Sequence, residues 1–298
     1  FLMRRPIDTF DAIADEMDWR MVGNHAAKAA IEIALHDALG KVRGVSVASL
    51  LDARATPRSR LAVLWLIGTG DAERDYAEAR AKRAEGVVAY KIKVGADRVA
   101  DDASRTLALS EILGEHMLIS ADANQAWSTS DAIDYVRAVS RSHVDFVEQP
   151  VRAHDLDGMA AVARATPIAI GADEGIHSSA DLRAHHANGA ARGASIKTIK
   201  LGGLRPALSA ARLAESLGMK VNLACKIAES SIGTAALLQL AAIAPQVDWG
   251  VSLSSQYLAA DVVRAPIGVA RGFAEVPSGP GLGVDVDEAA VAALRLAR

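Results

Sequence analysis

The chain holds one cysteine, Cys225, among 298 residues. That excludes an internal disulfide framework and any zinc site built on paired cysteines. No apolar run approaches the roughly 18 residues of a membrane span, and no basic stretch leads into an apolar one as in a secretory signal. Lys and Arg number 33 against 36 Asp and Glu, a formal charge of −3. That balance is too even for the basic field that draws in nucleic acid or an anionic membrane. Histidine is missing after His186. These absences lead us to expect a cytoplasmic chain with neither nucleic acid nor membrane as partner. It begins at Phe1, close to a helical pattern, from which we expect processing or a missing N-terminal portion.

What is present is alternation. Hydrophobic residues make up 51% of the chain, and abundant alanine suits closely packed helices. Helical patterns near 8–20 and 23–40 come first, the second with Asn24 as N-cap and Gly40 as stop. His25 and His36 lie on it without a partner at metal-binding offset, which favours structural or surface roles. From residue 61 short apolar runs alternate with amphipathic stretches. The pattern predicts strands near 61–67, 88–93, 117–121, 144–147, 168–171, 194–197, 219–223 and 248–252. Helices are predicted near 71–85, 98–113, 129–141, 155–165, 178–187, 204–217 and 230–243. Eight strands and seven helices at a period near 25 fit an α/β barrel. A doubly wound open sheet would not ask successive strand ends to converge on one site. After residue 262 the pattern becomes a loop-rich tail with a short helix from about 286, expected to pack on the N-terminal helices.

The strand ends carry charge. Tyr90-Lys91-Ile92-Lys93-Val94-Gly95 places two lysines on one face of a strand, because strand side chains alternate. Asp122, Glu148 and the pair Asp173-Glu174 close the next three apolar runs in steps of 26 and 25 residues, and Lys197 follows Asp173 by 24. Carboxylates gathered at one barrel mouth repel one another unless a hard divalent cation neutralises them, which suits Mg²⁺, with Mn²⁺ as its substitute. Zinc is disfavoured without His or Cys ligands. Asn124 lies on the side of Asp122 and is expected to orient that ligand or a water. Lys93, beside Lys91 and a dication, is expected to have a depressed pKa and to act as a base. Lys197 stands four strands on, half a circle away. Two bases flanking a metal-held substrate suit removal and return of a proton next to a carboxylate. Lys200, three residues beyond Lys197 and before Gly202-Gly203, is given a loop or supporting role.

Lys91-x-Lys93, Asp122-Ala123-Asn124-Gln125-Ala126-Trp127, Val147-Glu148-Gln149-Pro150, Ala172-Asp173-Glu174 and Lys197-x-x-Lys200-x-Gly202-Gly203 together resemble the enolase superfamily, in its muconate-lactonizing-enzyme (muconate cycloisomerase) subgroup. The resemblance runs from about residue 20 to near residue 290. It implies an α/β fold, a (β/α)7β modified TIM barrel with an N-terminally incomplete capping domain: 1–58 the helical part of the cap, 59–260 the barrel, 261–298 the return to the cap. It implies Asp122, Glu148 and Asp173 as metal ligands, preferring Asp173 over Glu174, and Lys93 and Lys197 as the acid/base pair. Lys91, Asn124, Glu174, Lys200 and Glu229 are then candidates for contacting the substrate or supporting the ligands.

The lack of late histidine argues against the chemistry of mandelate racemases and sugar-acid dehydratases. Glu229 resembles an acidic residue of muconate cycloisomerases, although a carboxylate near a helix N-terminus is also favoured by the dipole. The stretch 252–257 lacks the Asp-x-Asp of dipeptide epimerases. The expected activity is therefore a Mg²⁺-dependent isomerase acting on a small carboxylate through an enediolate, either a cycloisomerase or a racemase/epimerase of amino-acid derivatives. A lyase on the same machinery, of o-succinylbenzoate-synthase or hydroxyproline-dehydratase type, and a non-catalytic truncated barrel are the alternatives. A homo-oligomer is expected.

Overall fold

The computed structural model describes residues 6 and 10–295. The expected helix start at 8 and 9, the first residues of the expected cap and the last three of the return segment lie outside them. Three helices lead: α1 (Phe10–Arg20), α2 (His25–Arg43) and α3 (Val47–Leu51). Then come β1 (Arg60–Ala62), β2 (Trp65–Ile67), α4 (Ala72–Ala84), β3 (Ala89–Lys93), α5 (Val99–Leu113), β4 (Leu118–Asp122), α6 (Thr129–Ala138), β5 (Phe146–Glu148), α7 (Leu156–Arg164) and β6 (Ala169–Ala172). The chain continues through α8 (Ser179–Ala187), β7 (Gly193–Ile196), α9 (Thr198–Leu201), α10 (Leu204–Ser216), β8 (Lys220–Ala224), α11 (Ser231–Ile243), β9 (Val251–Ser252), β10 (Phe273–Glu275) and α12 (Glu288–Ala293).

Strands β2 to β9 form one eight-stranded sheet in sequence order, every neighbouring pair parallel. Its two edges meet: Val63 bridges Val251, and the Leu64 amide donates to the Val251 carbonyl at 2.8 Å. The sheet thus curls into a nearly closed barrel with helices outside, and all its strand C-termini ring one mouth. The single strand expected over 61–67 is two. Its first half, β1, pairs antiparallel with β10 from the tail, while β2 enters the barrel.

Serine and aspartate N-caps start several outer helices. The side chains of Asp71, Ser128, Asp155 and Ser178 accept from amide groups of the first turns of α4, α6, α7 and α8. Such caps satisfy amides that have no partner within the helix. Helix α2 departs from the expected ends. The Asn24 side chain makes no capping bond, and the helix runs through Gly40 to Arg43, with Gly44 in the left-handed cap. Gly40 is glycine for closeness instead: a Cβ there would lie 2.7 Å from the Gly281 Cα in the tail. The tail is stitched to the first helices by the Leu282 amide on Asp37 Oδ1 (2.8 Å) and by paired bonds between Gly281 and Val45 and Val47.

Inside the barrel, Trp249 stacks on Phe146 with centroids 3.9 Å apart and planes 8° from parallel. Gly171 faces the same way as Asp173, and Gly193 the same way as Lys197, by strand alternation. Cβ atoms at these glycines would approach the indole within 2.9 and 2.3 Å. The indole is thus a plug that fills the barrel beneath the charged ends of its strands.

Candidate active site

The site is built by register. Lys93 pairs with Asp122 across β3 and β4, and Asp122 with Glu148 across β4 and β5. Gly171 pairs with Glu148, which sets Asp173 two residues further along, just past the end of β6. The three carboxylates are buried, each at most 2% exposed. Buried carboxylates need positive charge or donors, and lysines supply it. Lys91 bonds Glu148 Oε2 and stands 3.7 Å from Asp122. Lys93 Nζ donates to Asp122 Oδ2 at 2.6 Å and to Asn124 Oδ1 at 2.7 Å. Lys197 Nζ donates to Asp173 Oδ2 at 2.5 Å, and Lys200 Nζ to Asp173 Oδ1 at 2.6 Å and to its carbonyl.

These pairings set the proton affinities. Burial pulls Lys91 down, but the Glu148 and Asp122 carboxylates lift it above its ordinary value. Lys197 follows the same pattern, with Asp173 outweighing burial. Burial pushes Asp173 up, and the ammoniums of Lys200 and Lys197 overcome it, holding the carboxyl well below the usual range. Lys200 shifts down, because burial outweighs Asp173 and Lys197 repels it. Glu148 is pushed up, chiefly by burial.

Among the described residues no three Asp, Glu, His or Cys side chains stand together as a ready metal cage. Each of the three expected ligand carboxylates contacts a lysine ammonium. The donor set still fits a hard dication: hard oxygens on three consecutive strand ends. One more oxygen, Glu174 Oε2, is buried without a hydrogen-bond partner while Oε1 accepts from Asn124 at 3.1 Å.

Lys91, Lys93, Asp122, Asn124, Asp173 and Lys197 line one cavity of about 270 Å³. Asn124, Glu174 and Lys200 border an adjoining one of about 460 Å³, roofed by residues 23–26 at the start of α2. There the His25 ring bonds the Lys200 carbonyl at 2.5 Å. Glu229 does not itself line either cavity but bonds Cys225 of the first one's wall. Burial raises its pKa, and it accepts from the Lys226 amide and lines a separate apolar cavity beside α2. A larger cleft of about 580 Å³ lies among Asp145, Pro167, Arg192 and Lys220. Those residues sit at the strand N-termini, the end of a barrel that reads as structure and not chemistry.

Sequence reasoning missed three groups. Ser195 Oγ donates to Glu148 Oε1 at 2.8 Å, and Ser195 also meets Asn222. Alternation from Lys197 back along β7 points to this serine. Cys225, Lys226 and Tyr257 join the cavity wall; the first two follow β8 as Lys197 follows β7. The third group braces Lys93. Arg105, 8% exposed, donates to Asp75 (2.7 Å), to Asp102 (3.0 Å) and to the Lys93 carbonyl (2.6 Å). Asp75 in turn accepts from the Thr69 amide and hydroxyl, and Asp102 from the Gly95 amide. Breaking such a network from one side leaves buried charge uncompensated. Arg105→Gln is therefore expected to cost about 3–5 kcal/mol of stability, read as a lower urea midpoint. An unchanged midpoint would contradict the network's role.

Two family models match the chain. "Enolase C-terminal domain-like" covers residues 74–290, and "Mandelate racemase / muconate lactonizing enzyme, N-terminal domain" covers residues 1–52. A chloromuconate cycloisomerase of Cupriavidus pinatubonensis is 35% identical over 93% of this chain and 74% of its own length. Muconate cycloisomerase 1 of Pseudomonas putida is 34% identical over 96% and 76%. Among solved structures, a muconate lactonizing enzyme from Klebsiella pneumoniae superposes with a TM-score of 0.93 at 33% identity, covering 99% of this chain and 82% of that one. A muconate lactonizing enzyme from Pseudomonas fluorescens, complexed with muconolactone, gives 0.92 at 30% identity over 97% and 78%.

Proposed function

The chain belongs to the mandelate racemase / muconate lactonizing enzyme family of the enolase superfamily, and on that basis we propose that it is a muconate-type cycloisomerase, closing an unsaturated dicarboxylate into a lactone. The observation that carries the reading is the pair Lys93 and Lys197, four strands apart on one cavity beside buried Asp122 and Asp173.

In the ring closure, an oxygen of one substrate carboxylate adds to the carbon β to the other. The electron pair of that double bond moves onto the far carboxylate as an enediolate, and a lysine ammonium delivers a proton to the α-carbon. No water enters and nothing leaves. Lys93 is assigned the proton transfer: it is about one-third exposed (35%) at the mouth, and Asp122 and Asn124 fix its ammonium. Lys197, kept protonated by Asp173, acts as a fixed cation near the developing negative charge. A Mg²⁺ or Mn²⁺ ion held by Asp122, Glu148 and Asp173 would, when bound, add positive charge where the enediolate builds. Lys91 and Ser195 keep Glu148 oriented.

The same two lysines also suit a racemase of an amino-acid derivative, one serving each face of the α-carbon. The test is incubation of the protein and Mg²⁺ with cis,cis-muconate, and separately with N-acyl amino acids in D₂O, followed by NMR. Lactone from muconate is the expected result. Deuterium at the α-carbon of an N-acyl amino acid without any lactone would replace this reading with the racemase one.

A further inference from the structure

Lys226 is an ammonium at the barrel mouth that the reaction above does not use. It follows β8, lines the cavity that holds Lys93 and Lys197, and also lines the adjoining one. Lys91, Lys93, Lys197 and Lys200 each rest on a carboxylate. The exposed Lys226 side chain has no such partner among the described residues.

Its backbone, by contrast, is fixed. The Lys226 amide donates to Glu229 Oε1 at 2.5 Å, Ser254 Oγ donates to the Lys226 carbonyl at 2.8 Å, and the Glu229 amide donates to Ser254 Oγ at 3.1 Å. Ala228 in the same turn has φ 63°. An alanine stays in that left-handed region only where its surroundings over-determine it, as they do at ligand sites. A lysine that merely solvates a loop needs no such clamp. The cavity wall shared with Lys226 includes an apolar part, Leu64, Leu66, Ile227 and Leu253, beside Ser252, Ser254 and Tyr257. A charged end at Lys93 and Lys197, a partly apolar wall and a second, uncommitted ammonium together describe an elongated dianion.

We propose that Lys226 binds the distal carboxylate of the substrate and so makes the site selective for dicarboxylates over monocarboxylates of equal length. The assignment deepens the cycloisomerase reading and rests on it for which carboxylate reacts. Its test does not depend on turnover. Calorimetry of the Mg²⁺-supplemented full chain with adipate and with hexanoate compares two inert six-carbon acids that differ in the second carboxylate. Adipate is expected to bind roughly 10- to 100-fold more tightly, as a hydrogen bond to a charged group allows. Lys226→Gln should erase that difference and leave hexanoate binding unchanged, and Lys226→Arg should keep most of it. Equal or absent binding of adipate by the parent, or a difference that survives Lys226→Gln, overturns the proposal. Muconate turnover is followed in parallel. If the adipate preference is present and depends on Lys226 while muconate is not turned over, the anchor stands and the cycloisomerase reading falls.

Discussion

Lys93→Ala is expected to lower kcat on muconate by about 10²–10⁴-fold, the usual worth of a positioned general acid or base. Lys93→Arg should do no better. A guanidinium keeps its proton at any working pH and cannot move it to carbon and take it back. Lys197 should respond differently. If it serves as a fixed cation on Asp173, Lys197→Arg keeps the charge and retains activity that Lys197→Ala loses. The comparison needs four variants and one assay. Equal rescue by arginine at both positions would show that neither lysine moves the proton. Full activity in both alanine variants would remove the lysines from the mechanism altogether. A racemase would instead show mirror behaviour, each alanine variant still exchanging the α-proton of one enantiomer with deuterated solvent.

The second large effect is expected at Glu148→Gln, which should abolish Mg²⁺ binding in calorimetry. Mg²⁺ at 100 times its dissociation constant should stabilise the parent by about 2.7 kcal/mol, and the variant should show no such shift. Glu148 is 1% exposed and bonded to Lys91 and Ser195. Removing its charge strands the Lys91 ammonium, at a cost of about 3–5 kcal/mol. The double variant Lys91→Met/Glu148→Gln removes both charges and is expected to recover most of that loss without recovering Mg²⁺ binding. Magnesium affinity equal to the parent's in the double variant would exclude Glu148 as a ligand.

The barrel was legible because its signal is periodic. Parallel strands buried on both faces read as short apolar runs, and register then puts Lys93, Asp122 and Glu148 at one level. Alternation also foresaw that Lys91 and Lys93 share a face. What stayed hidden depends on partners far away in sequence. The division of 61–67 is made by β10, more than 200 residues downstream. Gly40 looked like a helix stop, and only the close approach of Gly281 explains it. Arg105 sits in an ordinary helical pattern on α5, and nothing local says that its guanidinium reaches the Lys93 carbonyl. Glu229 had a plausible motif, but nothing local says that its carboxylate accepts from the Lys226 amide and bonds Cys225. The lysine–carboxylate contacts were hidden for a related reason. Composition says that the charges must be balanced, not which ammonium balances which carboxylate.

The most direct measurement runs the reaction backwards in D₂O. Muconolactone, Mg²⁺ and the protein are followed by proton NMR at the carbon next to the free carboxylate. The account predicts loss of that α-proton signal through deuterium exchange, suppressed by EDTA and by Lys93→Ala. Exchange that persists undiminished in Lys93→Ala, or an α-proton that never exchanges while the lactone is consumed, would contradict it.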